Sequence, residues 1–100
     1  MSNNGKNHRW LLTAHPDARF TLDRQGIVLT ANAAAFRLTG VAWDDLVGAD
    51  FFAFFTAPEE VWEAYQALLA KGTVRHLPFT LRHRTGTLTE VVLDGSVHRP

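Results

Sequence analysis

The sequence contains five histidines, and imidazole is the side chain most often used for metal binding and for proton transfer near neutral pH. They lie at scattered positions without the spacing of a metal site: His8, His15, His76, His83 and His98. His76 and His83 are an odd number of residues apart, so a regular strand would place them on opposite faces. We interpret all five as solvated surface residues and expect no metal site. Only His83 shares the inward parity of its apolar neighbours.

Carboxylates and amides give no catalytic pattern either. Asp23 could act as a base, but no Ser–His pair or second carboxylate converges on it in the sequence. Asp44 and Asp45 stand at the start of a helical segment, where the helix dipole favours acids. Because the chain has no cysteine, it can form no thiol nucleophile, disulfide or thiolate metal site. We therefore expect no catalytic activity.

Length and composition fit one small folded module. One hundred residues suffice for a single core, and 46% hydrophobic with 20% charged residues is ordinary for a globular domain. The ten basic and ten acidic residues cancel, which disfavours attraction to nucleic acid or to an anionic membrane. The first ten residues lack the apolar core of a signal peptide, and no apolar run approaches the roughly 20 residues of a membrane span. These observations favour a cytoplasmic location.

The first half of the chain predicts a hairpin followed by a short helix. Apolar and polar residues alternate over Ala18–Asp23 and again over Ile27–Ala31, and Gly26 can take the positive φ of the turn between them. Asn32 is a favoured N-cap residue, able to accept a hydrogen bond from the first turn of a helix over Ala33–Leu38.

Further helical segments follow. Gly40 ends the first helix, and Trp43–Val47 predicts another helical turn before an aromatic cluster of Phe51, Phe52, Phe54 and Phe55. Thr56 and Glu59 have the spacing of a capping box for a longer helix over Pro58–Lys71. Its apolar residues form one stripe predicted to lie on a sheet: Val61, Trp62, Tyr65, Leu68 and Leu69.

A second hairpin closes the sequence, and a short helix is predicted to precede the first. Alternation over Val74–His83 and Leu88–Val97, with a Thr-Gly turn between them, indicates two more strands. Hairpins at both ends predict an α+β fold, an antiparallel sheet with helices on one face. Trp10, Leu11 and Ala14 have helical spacing and predict an amphipathic N-terminal helix ended by Pro16.

Two segments of the sequence resemble those of a known family. "FTLDRQGIVLTANAAAFRLTGVAWDDLVGADFFAFF" is similar to the first half of a PAS domain, with its Asp-x-x-Gly hairpin turn, its Asn before a helix and its Thr-Gly helix end. "RHRTGTLTEVVL" resembles the closing hairpin, and the likeness runs from about Pro16 to Val97. It implies that Asp23 closes its turn through backbone hydrogen bonds. It also implies a sensory or interaction module, of the kind found in histidine kinases, cyclic-di-nucleotide enzymes, chemoreceptors and transcription regulators.

An enzyme or binding protein of another class stays open as an alternative. Such a protein, a small cone-shaped α+β fold, would enclose an apolar ligand between its helices and a curved sheet. It would need an acid or a His deep in the sheet at inward parity, and the sequence offers only His83, near a strand end.

The resemblance also implies where a ligand would lie and which cofactors fit. The pocket would be between the sheet and the helices, lined by residues that could equally form a plain core: Phe36, Leu46, Phe54, Tyr65, Leu69, Leu77, Phe79 and Val91. Flavin-adduct and coumaroyl members need a Cys, which the chain lacks. Haem-binding members take an axial His from the long helix, and Pro58–Lys71 has none, which argues against haem. The identity of any other ligand stays open.

The resemblance divides the chain and implies its partners. Residues 1–16 are expected to form a flanking helix that packs on the sheet or on a second copy, and residues 17–100 to form the PAS domain. The expected partners are a second copy, giving a homodimer, and an output domain of the same parent protein.

One strand of the family's sheet is missing from this prediction. The family has five antiparallel strands in the spatial order 2-1-5-4-3, so the last strand lies between the first and the fourth. The four predicted strands leave none for the fifth. We therefore expect a chain truncated at its C-terminus, with the gap filled by residues after Pro100, by a neighbouring copy or by rearranged pairing.

Overall fold

A computed structural model describes residues 8–99 as an antiparallel five-stranded sheet with helices packed on one face, which confirms the predicted α+β fold. The strands are β1 (Arg9–His15), β2 (Ala18–Leu22), β3 (Val28–Ala31), β4 (Thr73–Arg82) and β5 (Leu88–His98). The helices are α1 (Ala33–Thr39), α2 (Trp43–Leu46) and α3 (Pro58–Lys71), with a 3-10 helix over Phe51–Phe54.

The N-terminal segment is a strand, so the helix predicted there is wrong for residues 9–15. Trp10, Leu12 and Ala14 are buried, whereas Leu11 is exposed, which is the period-two pattern of a sheet strand. The helix prediction was based on the spacing of Trp10, Leu11 and Ala14. It gave Leu12 no place in the core. Pairing with two neighbouring strands satisfies the backbone of this segment on both sides, a gain that a short isolated helix lacks. Residues 1–7 of the predicted helix lie outside the described residues.

The sheet is complete, so the expectation of a missing fifth strand is also wrong. Its order is β3-β2-β1-β5-β4, and β1 pairs antiparallel with both β2 and β5. Trp10 stands opposite Leu22 on one side, and Arg9 stands opposite His98 on the other. The N-terminal strand thus occupies the central position that the family gives to its last strand. Within residues 8–99 there is no gap for a segment after Pro100 to fill.

Local signals set the ends of the helices. The Asn32 side chain accepts a hydrogen bond from Ala35 N at 3.1 Å, which confirms the predicted N-cap of α1. α3 has the predicted bounds and ends at Gly72, whose φ of 86° is in the left-handed region.

The predicted capping box at the start of α3 does not form, because Ala57 is the N-cap residue and has no side-chain cap. Thr56 is held by β4 instead. Its N–H donates to the carbonyl of Thr80 at 3.0 Å, and its hydroxyl donates to the same oxygen at 3.4 Å. The hydroxyl therefore serves the junction between the helix and the sheet.

Aromatic side chains fill the space between the two layers. The Phe51 ring makes edge-to-face contacts with the rings of Phe20 and Phe55, at centroid distances of 4.9 and 5.1 Å. From α3, Val61, Tyr65 and Leu68 are buried as the stripe predicts, but Trp62 is 51% exposed. Trp62 lies about 100° around the helix from Val61, at the edge of the buried stripe.

Two neighbouring leucines test the strand assignment of β1. Leu12→Ala should lower the free energy of unfolding by about 2–5 kcal/mol, because it leaves a cavity in the core. Leu11→Ala should cost less than about 1 kcal/mol, because Leu11 is 41% exposed. Urea denaturation followed by circular dichroism measures both. A larger loss for Leu11→Ala than for Leu12→Ala would support the helix instead.

Candidate functional site

The structure brings the eight predicted pocket residues to the interface between the sheet and the helices. Leu46, Tyr65 and Val91 are core residues, at most 3% exposed. The other five are half-buried and pack against the core: Phe36, Phe54, Leu69, Leu77 and Phe79. Phe79 stacks edge-to-face on Phe55, and Phe36 lies against Trp43. Aromatic contacts of this kind are typical of a packed core.

Little empty space remains in this interior. A small cavity of about 10 Å³ lies between α3 and the sheet, lined by Leu12, Val61, Ala64, Tyr65, Leu68, Val74, Leu77 and Leu93. That volume holds about one water molecule, whereas sites for drug-sized ligands measure about 300–1,000 Å³. Of the predicted pocket residues, Tyr65 and Leu77 line this cavity. A ligand of cofactor size would therefore require α3 to move away from the sheet.

Tyr65 is the titratable side chain buried at this interface, and it ties α3 to the first hairpin. Its hydroxyl donates to the carbonyl of Asp23 at 2.5 Å. Burial raises the pKa of Tyr65 above its ordinary value, and the negative charge of Asp23 raises it further. The phenol therefore stays protonated and acts as a hydrogen-bond donor.

Asp23 has the structural role that the family resemblance implies. Its Oδ1 accepts hydrogen bonds from Gln25 N at 2.9 Å and from Ile27 N at 3.0 Å. Gly26, at φ 86°, completes the turn. The carboxylate is thus used to hold the hairpin and faces no partner suited to acid–base chemistry among residues 8–99.

Within residues 8–99, nothing covers the outer face of the sheet, away from the helices. This face contains a shallow depression of about 520 Å³ with a mixed polar and apolar lining: Leu11, Leu12, Thr13, Arg19, Phe20, Thr21, Thr73, Val74, Arg75, Asp94, Gly95 and Ser96. Leu11 and Val92 are 41% and 37% exposed on this face. Single exposed apolar residues of this kind are common on protein surfaces.

A cluster around Asp94 lies on the same outer face, and the sequence analysis did not single it out. β4 carries one extra residue between Val74 and Leu77, which places His76 in the left-handed region at φ 59°. The His76 N–H donates to Asp94 Oδ1 at 2.7 Å, and His15 Nε2 lies 2.5 Å from Asp94 Oδ2. The hydrogen bond from the His76 backbone lowers the pKa of Asp94, and the one from His15 lowers it further. An irregular bulge of this kind leaves no periodic signal in the sequence.

The histidines do not form a metal site in the described part of the chain. Within residues 8–99, no three His, Cys, Asp or Glu side chains are arranged to hold a metal ion. His83 is half-buried, and its Nδ1 lies 2.8 Å from the hydroxyl of Thr85. Its ring covers Gly40, where a Cβ atom would overlap it. His83 therefore packs the β4–β5 turn on the end of α1.

These features define a class of protein: an α+β domain with helices on one side of an antiparallel sheet, a filled interior and an open outer face. The family model described as PAS fold matches residues 9–99. The chain belongs to the PAS family, so it is a sensory or signalling module, and the cone-shaped alternative is set aside. No curated protein matches the chain. Among the residues described, no helix combines the length and apolarity needed to cross a bilayer.

The Asp94 cluster predicts a specific pH dependence. Because the folded-state pKa of Asp94 is lowered, its hydrogen bonds stabilise the fold fully above the ordinary carboxyl range, and that stability is lost as the pH falls below about 4. Asp94→Asn should lower stability at pH 7 by less than about 1 kcal/mol, since the pair is exposed, and should flatten the acid limb of the profile. Urea denaturation at several pH values measures this.

Glu90→Gln is the matched control, since Glu90 is exposed on the same strand. It removes the same charge without touching the cluster and should leave the acid limb unchanged. Identical pH profiles for Asp94→Asn and the unmodified protein would show that the cluster does not contribute.

Proposed function

We propose that this chain is the sensory and dimerisation module of a bacterial signalling protein that works in the cytoplasm. The parent would be a histidine kinase of a two-component system, a cyclic-di-nucleotide enzyme or a transcription regulator. The module itself would have no catalytic activity and would pass a signal to the output domain of its parent protein. The contrast between a filled interior and an open sheet face carries this proposal.

The interior supports an interaction role over resident cofactor binding. The cavity between α3 and the sheet is about 10 Å³, and Phe20, Phe51 and Phe55 make aromatic contacts within the core. Tyr65 and Asp23 hold α3 close to the first hairpin. A small ligand would have to displace these contacts, so it would bind at the cost of core packing.

The outer face of the sheet is the surface that we propose for self-association. Leu11 and Val92 provide exposed apolar contacts, and Pro78, opposite Val92 on β4, is exposed beside it. Polar side chains such as Thr13 and Arg19 lie between and around them. Two copies related by a two-fold axis could bury this face against itself.

A charge placed on the outer face should break the dimer. Val92→Glu is expected to weaken self-association by about tenfold or more, because an acid would be buried in the interface. Val47→Glu is the matched control: Val47 is also 37% exposed but follows α2 in the helical layer. Sedimentation equilibrium measures both variants. A monomeric unmodified protein, or equal dimerisation of both variants, would contradict the proposed interface.

The filled interior also predicts that the purified protein is colourless. No stoichiometric haem or flavin should accompany it, because the interior has room for about one water molecule. An absorption spectrum from 300 to 600 nm, roughly the range of haem and flavin bands, tests this. A Soret or flavin band at a stoichiometric level would show that the helices open around a cofactor.

A further inference from the structure

The packing of α3 against the sheet does not account for the exposure of Trp62. Half of its surface is in contact with solvent, although the neighbouring Val61 and Tyr65 are almost fully buried. A large indole in water forgoes the burial that stabilises other aromatic residues. Single exposed apolar residues are common on protein surfaces. The residues around Trp62 therefore determine whether its exposure indicates a function.

Those surroundings form an apolar depression. Trp62, Pro58 and Phe52 line a surface depression of about 270 Å³, with Glu59 beside it. Phe52 is 8% exposed and belongs to the core, so the floor of the depression is rigid. We refer to Phe52, Pro58, Glu59, Trp62 and Glu63 as the Trp62 surface. It lies on the helical side of the domain, away from the outer sheet face proposed for dimerisation.

Two acids lie near the indole on the exposed side of the helix. Glu59 precedes Trp62 by three residues and is its neighbour along α3, and it precedes Glu63 by four, so Glu59 lies between the indole and Glu63. Glu59 lies in the first turn, where it also offsets the helix dipole, but Glu63 lies beyond that turn. Among residues 8–99, neither Glu59 nor Glu63 has a basic nitrogen within 4.0 Å.

The segment between the end of α1 and the last turn of α3 is acidic, although the chain as a whole is neutral. From residue 38 to residue 70 there is no Lys, Arg or His, and the charged residues are Asp44, Asp45, Asp50, Glu59, Glu60 and Glu63. Arg24, in the β2–β3 turn, lowers the pKa of Tyr65 on α3, but burial and Asp23 raise it by more. The Trp62 surface thus combines an apolar floor with unneutralised negative charge.

We propose that the Trp62 surface binds a basic, partly apolar segment of a partner protein. An Arg or Lys side chain of that segment lies over the indole as a cation–π contact and pairs with Glu59 or Glu63, while an adjacent apolar side chain enters the depression. Charge complementarity selects this partner chemistry. Nucleic acid and anionic lipid would be repelled by the same carboxylates.

A second copy of the chain fits this surface less well. The exposed basic residues of residues 8–99 lie outside the Trp62 surface: Arg19 and Arg75 line the outer depression, and Arg9, Arg24, Arg37, Lys71, Arg82, Arg84 and Arg99 lie elsewhere on the domain. A contact between the Trp62 surface of one copy and a basic patch elsewhere on another runs head to tail and does not close at two subunits. The occupant is therefore a segment of a different protein or domain.

The test uses a defined probe: a short acetylated and amidated peptide in which Arg and Leu alternate in a helical pattern, with a Glu-for-Arg version as its counterpart. Titration into ¹⁵N-labelled protein, followed by NMR, should shift the Trp62 indole Nε1–H, which Trp62→Phe identifies. Glu59→Gln combined with Glu63→Gln should weaken binding by about fivefold or more and reduce its salt dependence. Trp62→Ser should weaken it by at least as much.

Glu90→Gln, on the outer sheet face, is the control for the loss of a carboxylate elsewhere on the domain and should leave binding unchanged. The proposal is overturned if millimolar Arg peptide leaves the Trp62 indole unshifted, if the Glu peptide binds equally well, or if Glu90→Gln weakens binding as much as the double variant. Concentration-dependent self-association that Trp62→Ser abolishes would also overturn it, in favour of a second copy. Because the dimer test uses Val92, the two proposals can fail separately.

Discussion

The backbone pairing of β1 on both of its edges is the constraint on which the rest of the domain depends. Without this strand, β2 and β5 would each present unpaired N–H and C=O groups at the centre of the sheet. β1 also brings Trp10 under α3, where its ring meets Tyr65 at 6.4 Å. The indole N–H of Trp10 is buried without an acceptor among residues 8–99, so packing and pairing must outweigh that polar cost.

Because the interior is so well filled, the chemistry of this domain is expressed at its surfaces. Tyr65 is buried as a hydrogen-bond donor, and Asp23 is occupied by the backbone of its turn. The charges are unevenly divided along the chain: the segment from residue 38 to residue 70 carries only acids, whereas the outer sheet face carries Arg19 and Arg75 together with Asp94. A net charge of zero therefore conceals a local excess of negative charge in part of the helical layer.

The sequence predicts those parts of the fold that are fixed by short-range signals. The cap at Asn32 and the end of α3 at Gly72 depend on residues within a turn of each other, and each was predictable. The role of β1 was not, because Trp10, Leu11 and Ala14 satisfy a helical pattern and only pairing with distant β5 decides for a strand. Thr56 likewise has the spacing of an N-cap residue, but its hydroxyl donates to the carbonyl of Thr80 on β4 instead.

The candidate site likewise has features that the sequence predicts and features that it does not. The eight candidate pocket residues belong to the core or pack against it, but periodicity carries no information on how much volume their side chains leave empty. The bulge at His76, which gives Asp94 its partners, and the exposure of Trp62 both depend on the exact course of neighbouring strands and helices. Neither has a signature in one sequence.

The pairing of Arg9 with His98 means that the two ends of the described chain leave the sheet side by side, at one end of two adjacent central strands. A force that pulls these two ends apart would break the hydrogen bonds between β1 and β5 one after another. The load would not be distributed over all of them at once. Resistance to such tension would be low, even in a stable domain. Mechanical displacement at either end would thus reach the middle of the sheet first, ahead of the helices.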